Sequence, residues 1–276
     1  MSAPFVGFGL GLRSTYFDAV ISEQPDVDWF EIISENYFVA GGKPWYYLDQ
    51  IKERYPIAMH GVSLSIGRTD ELNVNYLTQL KKTIDRVQPM WISDHLCFSS
   101  LGDFNSHDLL PLPYTHEALS HLATRLNQVQ DFLERPLVLE NVSSYLSYTQ
   151  SHMTEWDFLA ELHHATGCQF LLDINNVYVS ARNHGFDPME YLLAIPEQAV
   201  AQIHLAGHSD FGTHIIDTHD QPVCDAVWDL FTRYANMRAP VNTMIERDDN
   251  FAPFSEWLSE LDKVRQIAPL SWKKND

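Results

Sequence analysis

The stretches Pro56-Ile-Ala-Met-His-Gly61 and Met90-Trp-Ile-Ser-Asp-His95 decide the fold. Each is a short apolar run that closes on a histidine, and residues 73–87 between them carry apolar positions at helical spacing. Strand, helix and strand in that order predict two parallel neighbours joined by a crossover. Moving outward, the same alternation recurs. Upstream lie an apolar, glycine-rich strand at 5–12, a short helix that Ser14 could cap, running to about Ser22, a strand at 28–34 and a helix at 44–54 with Pro44 in its first turn. Downstream come a long loop at 98–113, a helix at 115–134 and a strand at 135–141. A helix follows from Thr154 to His164, with Asp157 completing an approximate capping box, and then a strand at 168–173. A short helix opens at Asp187-Pro188 and runs to about Ala194; strands at 199–204 and 240–246 precede helices at 223–234 and 253–267. Eight strand–helix units predict an α/β fold, a single (β/α)8 TIM barrel over residues 1–276. An open doubly wound sheet would carry a G-x-G-x-x-G turn after its first strand, and Gly7-Phe-Gly-Leu-Gly11 lacks that spacing.

Composition narrows the function. A formal net charge of −19 repels phosphate backbones and anionic lipid, so a general nucleic-acid or membrane-surface binder is not expected. The three cysteines, Cys97, Cys168 and Cys224, are far apart and without C-x-x-C spacing, which argues against both a disulfide framework and a thiolate zinc site. The N-terminal residues lack the features of a signal peptide and no apolar run reaches bilayer-spanning length, so a cytoplasmic protein is expected.

Six of the eight strands end in a side chain that can bind metal: His60, His95, Glu140, Asp173, His204 and Glu246. In such a barrel these ends converge on one mouth. A single strand-end histidine is more often a core or rim residue, and a single carboxylate can cap the next helix. Several carboxylates converging in a poorly solvated mouth repel one another unless cations neutralise them. The segment 202–220 adds Asp217 and His219, two apart, which an extended backbone would point to one face. That makes about eight donors, too many for one ion and consistent with two or three metals bridged by carboxylate.

The order of these residues, with Trp29-Phe-Glu-Ile-Ile-Ser-Glu-Asn36, Met59-His-Gly-Val-Ser63, His107-Asp-Leu-Leu-Pro-Leu-Pro113, Leu172-Asp-Ile-Asn-Asn176 and Ile245-Glu-Arg-Asp248, resembles a known family. It is similar to the multinuclear non-haem iron-dependent oxidative enzymes, within the xylose-isomerase-like and endonuclease IV-like barrel superfamily. The resemblance implies His60, His95 and Glu140 around one ion, and Glu140 bridging to a second ion held by Asp173, His204 and Glu246. Asp217 and His219 would hold a third, completed by the amide of Asn175 or of Asn176. It implies iron, two or three ions per chain, with zinc or manganese as the alternative. It further implies dioxygen-dependent modification of cysteines in a ribosomally made precursor peptide, giving products such as an oxazolone–thioamide pair or a thiooxazole. A partner protein would present the peptide.

Asp248, two residues past Glu246, is a candidate base for removing a substrate amide proton; the alternative is that it only pairs with Arg247 or Arg13. Arg13, Glu35, Asn36, His107, Asn141, His184 and His208 are candidates for supporting the donors or lining the substrate path. Three competing functions share the barrel. A zinc phosphodiesterase of the endonuclease IV type is disfavoured by the net charge and by Asn176 where that pattern has histidine. A sugar isomerase is disfavoured because no lysine falls at a strand end. A non-catalytic metal- or peptide-binding barrel is the last.

Overall fold

A computed structural model describes residues 4–102 and 104–272. Eight parallel strands close into a barrel: β1 (Phe8–Gly11), β2 (Trp29–Ile33), β3 (Ile57–Gly61), β4 (Ile92–His95), β7 (Val138–Glu140), β8 (Gln169–Asp173), β9 (Val200–Leu205) and β12 (Asn242–Ile245). Two antiparallel hairpins stand apart from the barrel. One, β5 (Phe98–Leu101) with β6 (Phe104–Leu110), follows β4; the other, β10 (His208–Asp210) with β11 (Ile215–Asp217), follows β9. The helices are α1 (Phe17–Glu23), α2 (Lys43–Ile51), α3 (Val74–Val87), α4 (His116–Leu133), α5 (Glu155–Thr166), α6 (Ile174–His184), α7 (Pro188–Ala194), α8 (Asp225–Ala235) and α9 (Phe254–Ile267).

Two separate apolar clusters hold this together. The larger lies between the strands and the helices, and the smaller fills the barrel itself with Trp29, Ala58, Trp91, Val138, Leu171, Ala201 and Met244. Space for the indoles comes from the glycines of β1: a Cβ on Gly9 would overlap the Trp29 ring. The helices start where the sequence offers a cap. Asn73, Thr115 and Thr154 each accept a hydrogen bond from the backbone N–H three residues on, a contact that stabilises a helix by about 1 kcal/mol.

The TIM barrel expected from the alternation of strands and helices is the fold, with three local corrections. The long loop at 98–113 is largely the β5–β6 hairpin. Ser14 makes no capping bond; a 3-10 turn at Ser14–Tyr16 leads into α1. A helix absent from the expected order, α6, follows Asp173 with no intervening loop, and the Asp173 carboxylate caps it by accepting from Asn176 N. Among the described residues no helix is long and apolar enough to cross a membrane.

Candidate metal centre

The period of two along a strand explains why the donors face inward. Two residues beyond the barrel-filling Trp29, Ala58, Val138, Leu171 and Met244 come Glu31, His60, Glu140, Asp173 and Glu246. On these five strands the inner face is therefore apolar lower down and polar toward the C-terminal end. These five polar residues, with His95 and His204, are buried.

Their donor atoms fall into overlapping groups, each confined within 4.8 Å: His60, His95 and Glu140; Glu140, Asp173, His204 and Glu246; His219, Glu246 and Asp248. Glu140 Oε2 lies 3.2 Å from His60 Nε2 and 3.4 Å from His95 Nε2. Both imidazoles are anchored through their other nitrogen, His60 Nδ1 to Ser93 Oγ at 2.8 Å and His95 Nδ1 to the Gly61 carbonyl at 3.1 Å. Only a protonated Nδ1 can donate to that carbonyl, so His95 Nε2 keeps its lone pair toward Glu140. His204 Nδ1 lies 3.0 Å from Glu246 Oε2, and His219 Nδ1 lies 3.1 Å from the same oxygen.

Burial governs the charges. It pushes His60 well below the ordinary imidazole range and His95 down to about 4, so both are neutral and able to ligate. It pushes the Glu140 carboxyl well above its usual range and Asp173 up to about 7. For His204, burial acts against the charge, but the Glu246 and Glu31 carboxylates outweigh it and hold the imidazole well above its ordinary value. His219 is raised in the same way, burial being outweighed by Asp217, Asp248 and Glu246. Glu246 is pushed up by burial and pulled further down by these two histidines, ending well below the carboxylate range.

A cation fits here better than hydrogen bonds do. Glu140 Oε2, Asp173 Oδ2, Asn176 Oδ1, His204 Nδ1 and His219 Nε2 are all buried without a partner in hydrogen-bonding geometry. Buried polar atoms are normally satisfied. Five concentrated at the barrel mouth, three at strand ends with Asn176 in the first turn of α6 and His219 just past β11, are all hard or borderline N and O donors and match a divalent metal set.

The two asparagines have different surroundings. Asn175 spends both ends of its amide, receiving from His208 Nδ1 at 2.8 Å and donating to Asp217 Oδ1 at 2.7 Å. Asn176 donates through Nδ2 to the Asn141 carbonyl at 3.0 Å and to Glu140 Oε1 at 3.3 Å, which leaves Oδ1 bare. Asn141 also grips Asp173 from both sides of its peptide, accepting from Asp173 N at 2.9 Å and donating to Asp173 O at 3.1 Å. Asp217 and His219 do meet, with His219 Nε2 2.7 Å from Asp217 Oδ1. An extended backbone is not the reason: β11 ends at Asp217, and His219 has a left-handed φ of 46°.

Arg13 explains part of the rim. Its Nη2 donates to Asp248 Oδ1 at 2.7 Å and lies 3.3 Å from Glu246 Oε1, and half of the Asp248 side chain stays exposed. The pairing with Arg247 weighed for Asp248 is not formed; Arg247 bonds Glu260 at 2.7 Å. Glu35 accepts from Val62 N, Ser63 N and Tyr76 OH, so it shapes the turn after His60. Asn36 and His107 are exposed and outside the donor cluster, and His184 is bonded to Ser144 in the wall of a neighbouring 210 Å³ cavity. Glu31 was missed by reading strand ends alone. The signal was available, since it is the one charged residue inside the apolar run Trp29-Phe-Glu-Ile-Ile33.

The donors open onto a cavity of about 310 Å³. Ile33, Val62, Leu109 and Val142 give it apolar walls, and His60, His95, Asn176, His219, Glu246 and Asp248 line its polar side. Comparison with known proteins places the chain. Residues 7–269 match the model of the family described as RiPP precursor modification enzyme MbnB/TglH/ChrH. The chain belongs to this MbnB/TglH/ChrH family. Its members modify ribosomally made precursor peptides, and the family is the one the multinuclear iron resemblance points to. A UPF0276 protein of Caulobacter vibrioides (strain NA1000 / CB15N) is 55% identical over 263 residues, covering 95% of this chain and 94% of the relative. A UPF0276 protein of Vibrio parahaemolyticus serotype O3:K6 is 43% identical over 260 residues, covering 93% and 90%. Among solved structures, D-psicose 3-epimerase from Clostridium cellulolyticum H10 is similar at a TM-score of 0.63 and 9% identity, covering 95% of this chain and 99% of that one. Endonuclease IV from Thermus thermophilus is similar at 0.60 and 14% identity, covering 95% and 98%. At such identities these two establish the shared barrel and nothing about activity.

Proposed function

We propose that this chain is an iron-dependent, dioxygen-using oxidase that modifies cysteine residues of a ribosomally made precursor peptide presented by a partner protein. The observation that carries the reading is the set of five bare, buried N and O donor atoms gathered at the mouth of a MbnB/TglH/ChrH-family barrel. Residues 1–276 would act as one domain, because the donors of one site come from strands spread between β3 and β12.

His60, His95 and Glu140 would hold one ion; Glu140, Asp173, His204 and Glu246 would hold a second. Asp217, His219 and the bare Asn176 Oδ1 would hold a third, with Asn175 holding Asp217 in place. When bound, iron would supply one-electron redox chemistry and Lewis acidity, and a ligand set of nitrogen and oxygen without thiolate suits it. The apolar collar of Ile33, Val62, Leu109 and Val142 would exclude water around a cysteine side chain entering the cavity. Asp248, oriented by Arg13 and facing the same cavity, would accept the amide proton released on ring closure.

Anaerobic purification with metal analysis and Mössbauer spectroscopy tests this. The expected result is about two to three equivalents of iron, and oxygen uptake only with a cysteine-containing peptide encoded beside the gene. Two to three zinc ions with no response to iron would instead support the phosphodiesterase alternative. Bound metal with no oxygen uptake on any cysteine peptide would leave a binding barrel.

A further inference from the structure

We infer that Glu31 is a positioning residue for the ion that His204 would hold, acting through the tautomer of that histidine. Glu31 lies in β2, on the far side of the His204 ring from the donor cluster, and is wholly buried. Its Oε1 is 3.0 Å from His204 Nε2. Its Oε2 accepts from Gln202 Nε2 at 2.7 Å. The orientation of Gln202 is not free, because Trp91 Nε1 donates to Gln202 Oε1 at 2.5 Å and an indole N–H can only donate. The Gln202 amino group must therefore face Glu31 and His204.

On the other side of the ring, His204 Nδ1 faces Glu246 Oε2 at 3.0 Å and Glu140 Oε1 at 3.9 Å. Only a bare Nδ1 can ligate there. Glu31 Oε1 has no partner in hydrogen-bonding geometry, so the carboxylate would accept an Nε2 proton at this distance and leave Nδ1 bare. Without that carboxylate the local preference reverses: Gln202 Nε2 lies 2.8 Å from His204 Nε2, and would donate to a bare Nε2, sending the ring proton to Nδ1. Glu31 thus decides which nitrogen is offered to the cluster, and Trp91 and Gln202 hold it in that role. Support of a metal-bound histidine by a carboxylate on its other nitrogen is a general device; here the competing amide makes the carboxylate indispensable.

The inference rests on the reading of the strand ends as a metal centre, and the test separates the two. Wild type, Glu31→Gln and Glu31→Asp are purified metal-free, checked for equal thermal stability, loaded with zinc and examined by 15N-histidine NMR and metal titration. The expected result is a His204 proton on Nε2 in the wild type. Glu31→Gln should lose one equivalent, or bind it about 10- to 100-fold more weakly, while the His60–His95–Glu140 position still fills. Glu31→Asp, which keeps the acceptor, should recover part of the loss. Full loading of Glu31→Gln, or a wild-type His204 proton on Nδ1, overturns the role of Glu31 alone. A defect equal in both variants that follows a fall in stability makes Glu31 structural. A wild type that binds no metal overturns the metal centre as well.

Discussion

Asn175 Nδ2 donates to Asp217 Oδ1 at 2.7 Å, and this bond separates two neighbouring asparagines that look equivalent in sequence. Asn175 is occupied at both ends, whereas Asn176 keeps a bare oxygen beside Glu140. Asn176→Ala is expected to lose one equivalent of metal. Asn175→Ala and His208→Ala should bind that ion about 10-fold more weakly without losing it, as for residues supporting a ligand. Competition titrations with a chelator measure both, and the reverse ranking would make Asn175 the ligand.

Asp248→Asn keeps the hydrogen bond from Arg13 but removes the basic oxygen. If Asp248 accepts a proton, kcat should fall at least about 100-fold with metal content unchanged. Loss of metal in place of turnover would instead make Asp248 part of the His219–Glu246 donor group.

Gly207 allows the chain after β9 to pass against the backbone at Gln221. A Cβ there would overlap the Gln221 carbonyl oxygen, and the Gly207 carbonyl also accepts from His219 N at 3.1 Å. Backbone cannot yield as a flexible side chain can. Gly207→Ala should therefore cost about 1–3 kcal/mol, seen as a Tm lowered by about 2–5 °C, and should weaken metal binding at His219 selectively. An unchanged Tm would mean that the two segments move apart without strain.

Glu155 gives a pH test away from the donors. Burial raises its carboxyl to about 7 against the hydrogen bonds from Tyr191 and Tyr114. A folded-state value above the unfolded one means that the protonated form is favoured by folding. This contribution is complete below the unfolded carboxylate range and is lost as pH rises through about 7. Glu155→Gln should accordingly raise Tm relative to wild type at pH 8 and leave it unchanged at pH 4. An equal effect at both would deny the titration.

The barrel and most of its donors were legible because strand and helix alternate along the chain and strand ends are where such donors must gather; the period of two links four of them, His60, Glu140, Asp173 and Glu246, to an apolar residue two positions before. Glu31 escaped because it lies in mid-strand, two residues short of the end of β2 and paired with Ala58 rather than with His60. The α6 helix escaped because Asp173 is both the last strand residue and the helix cap, leaving no loop to announce the change. The β5–β6 hairpin was hidden since Phe104-Asn-Ser-His-Asp-Leu-Leu110 is largely exposed on both faces and shows no alternation. The meeting of His219 and Asp217 depends on a left-handed residue that is not glycine, which composition does not reveal.

The two hairpins leave the barrel after β4 and β9, which lie on either side of β7 and β8 in the ring. The strand ends that carry most donors are locked into the barrel ladder, whereas neither hairpin joins that ladder; β10–β11 is held at its base by Asn175, Asn183 and Tyr145. Lengthening or rewriting a hairpin tip therefore changes what reaches the mouth without moving His60, His95 or Glu140. The donor floor and the entrance above it are thus separable parts of the molecule: the first is set by the barrel ladder, the second by two hairpins outside it.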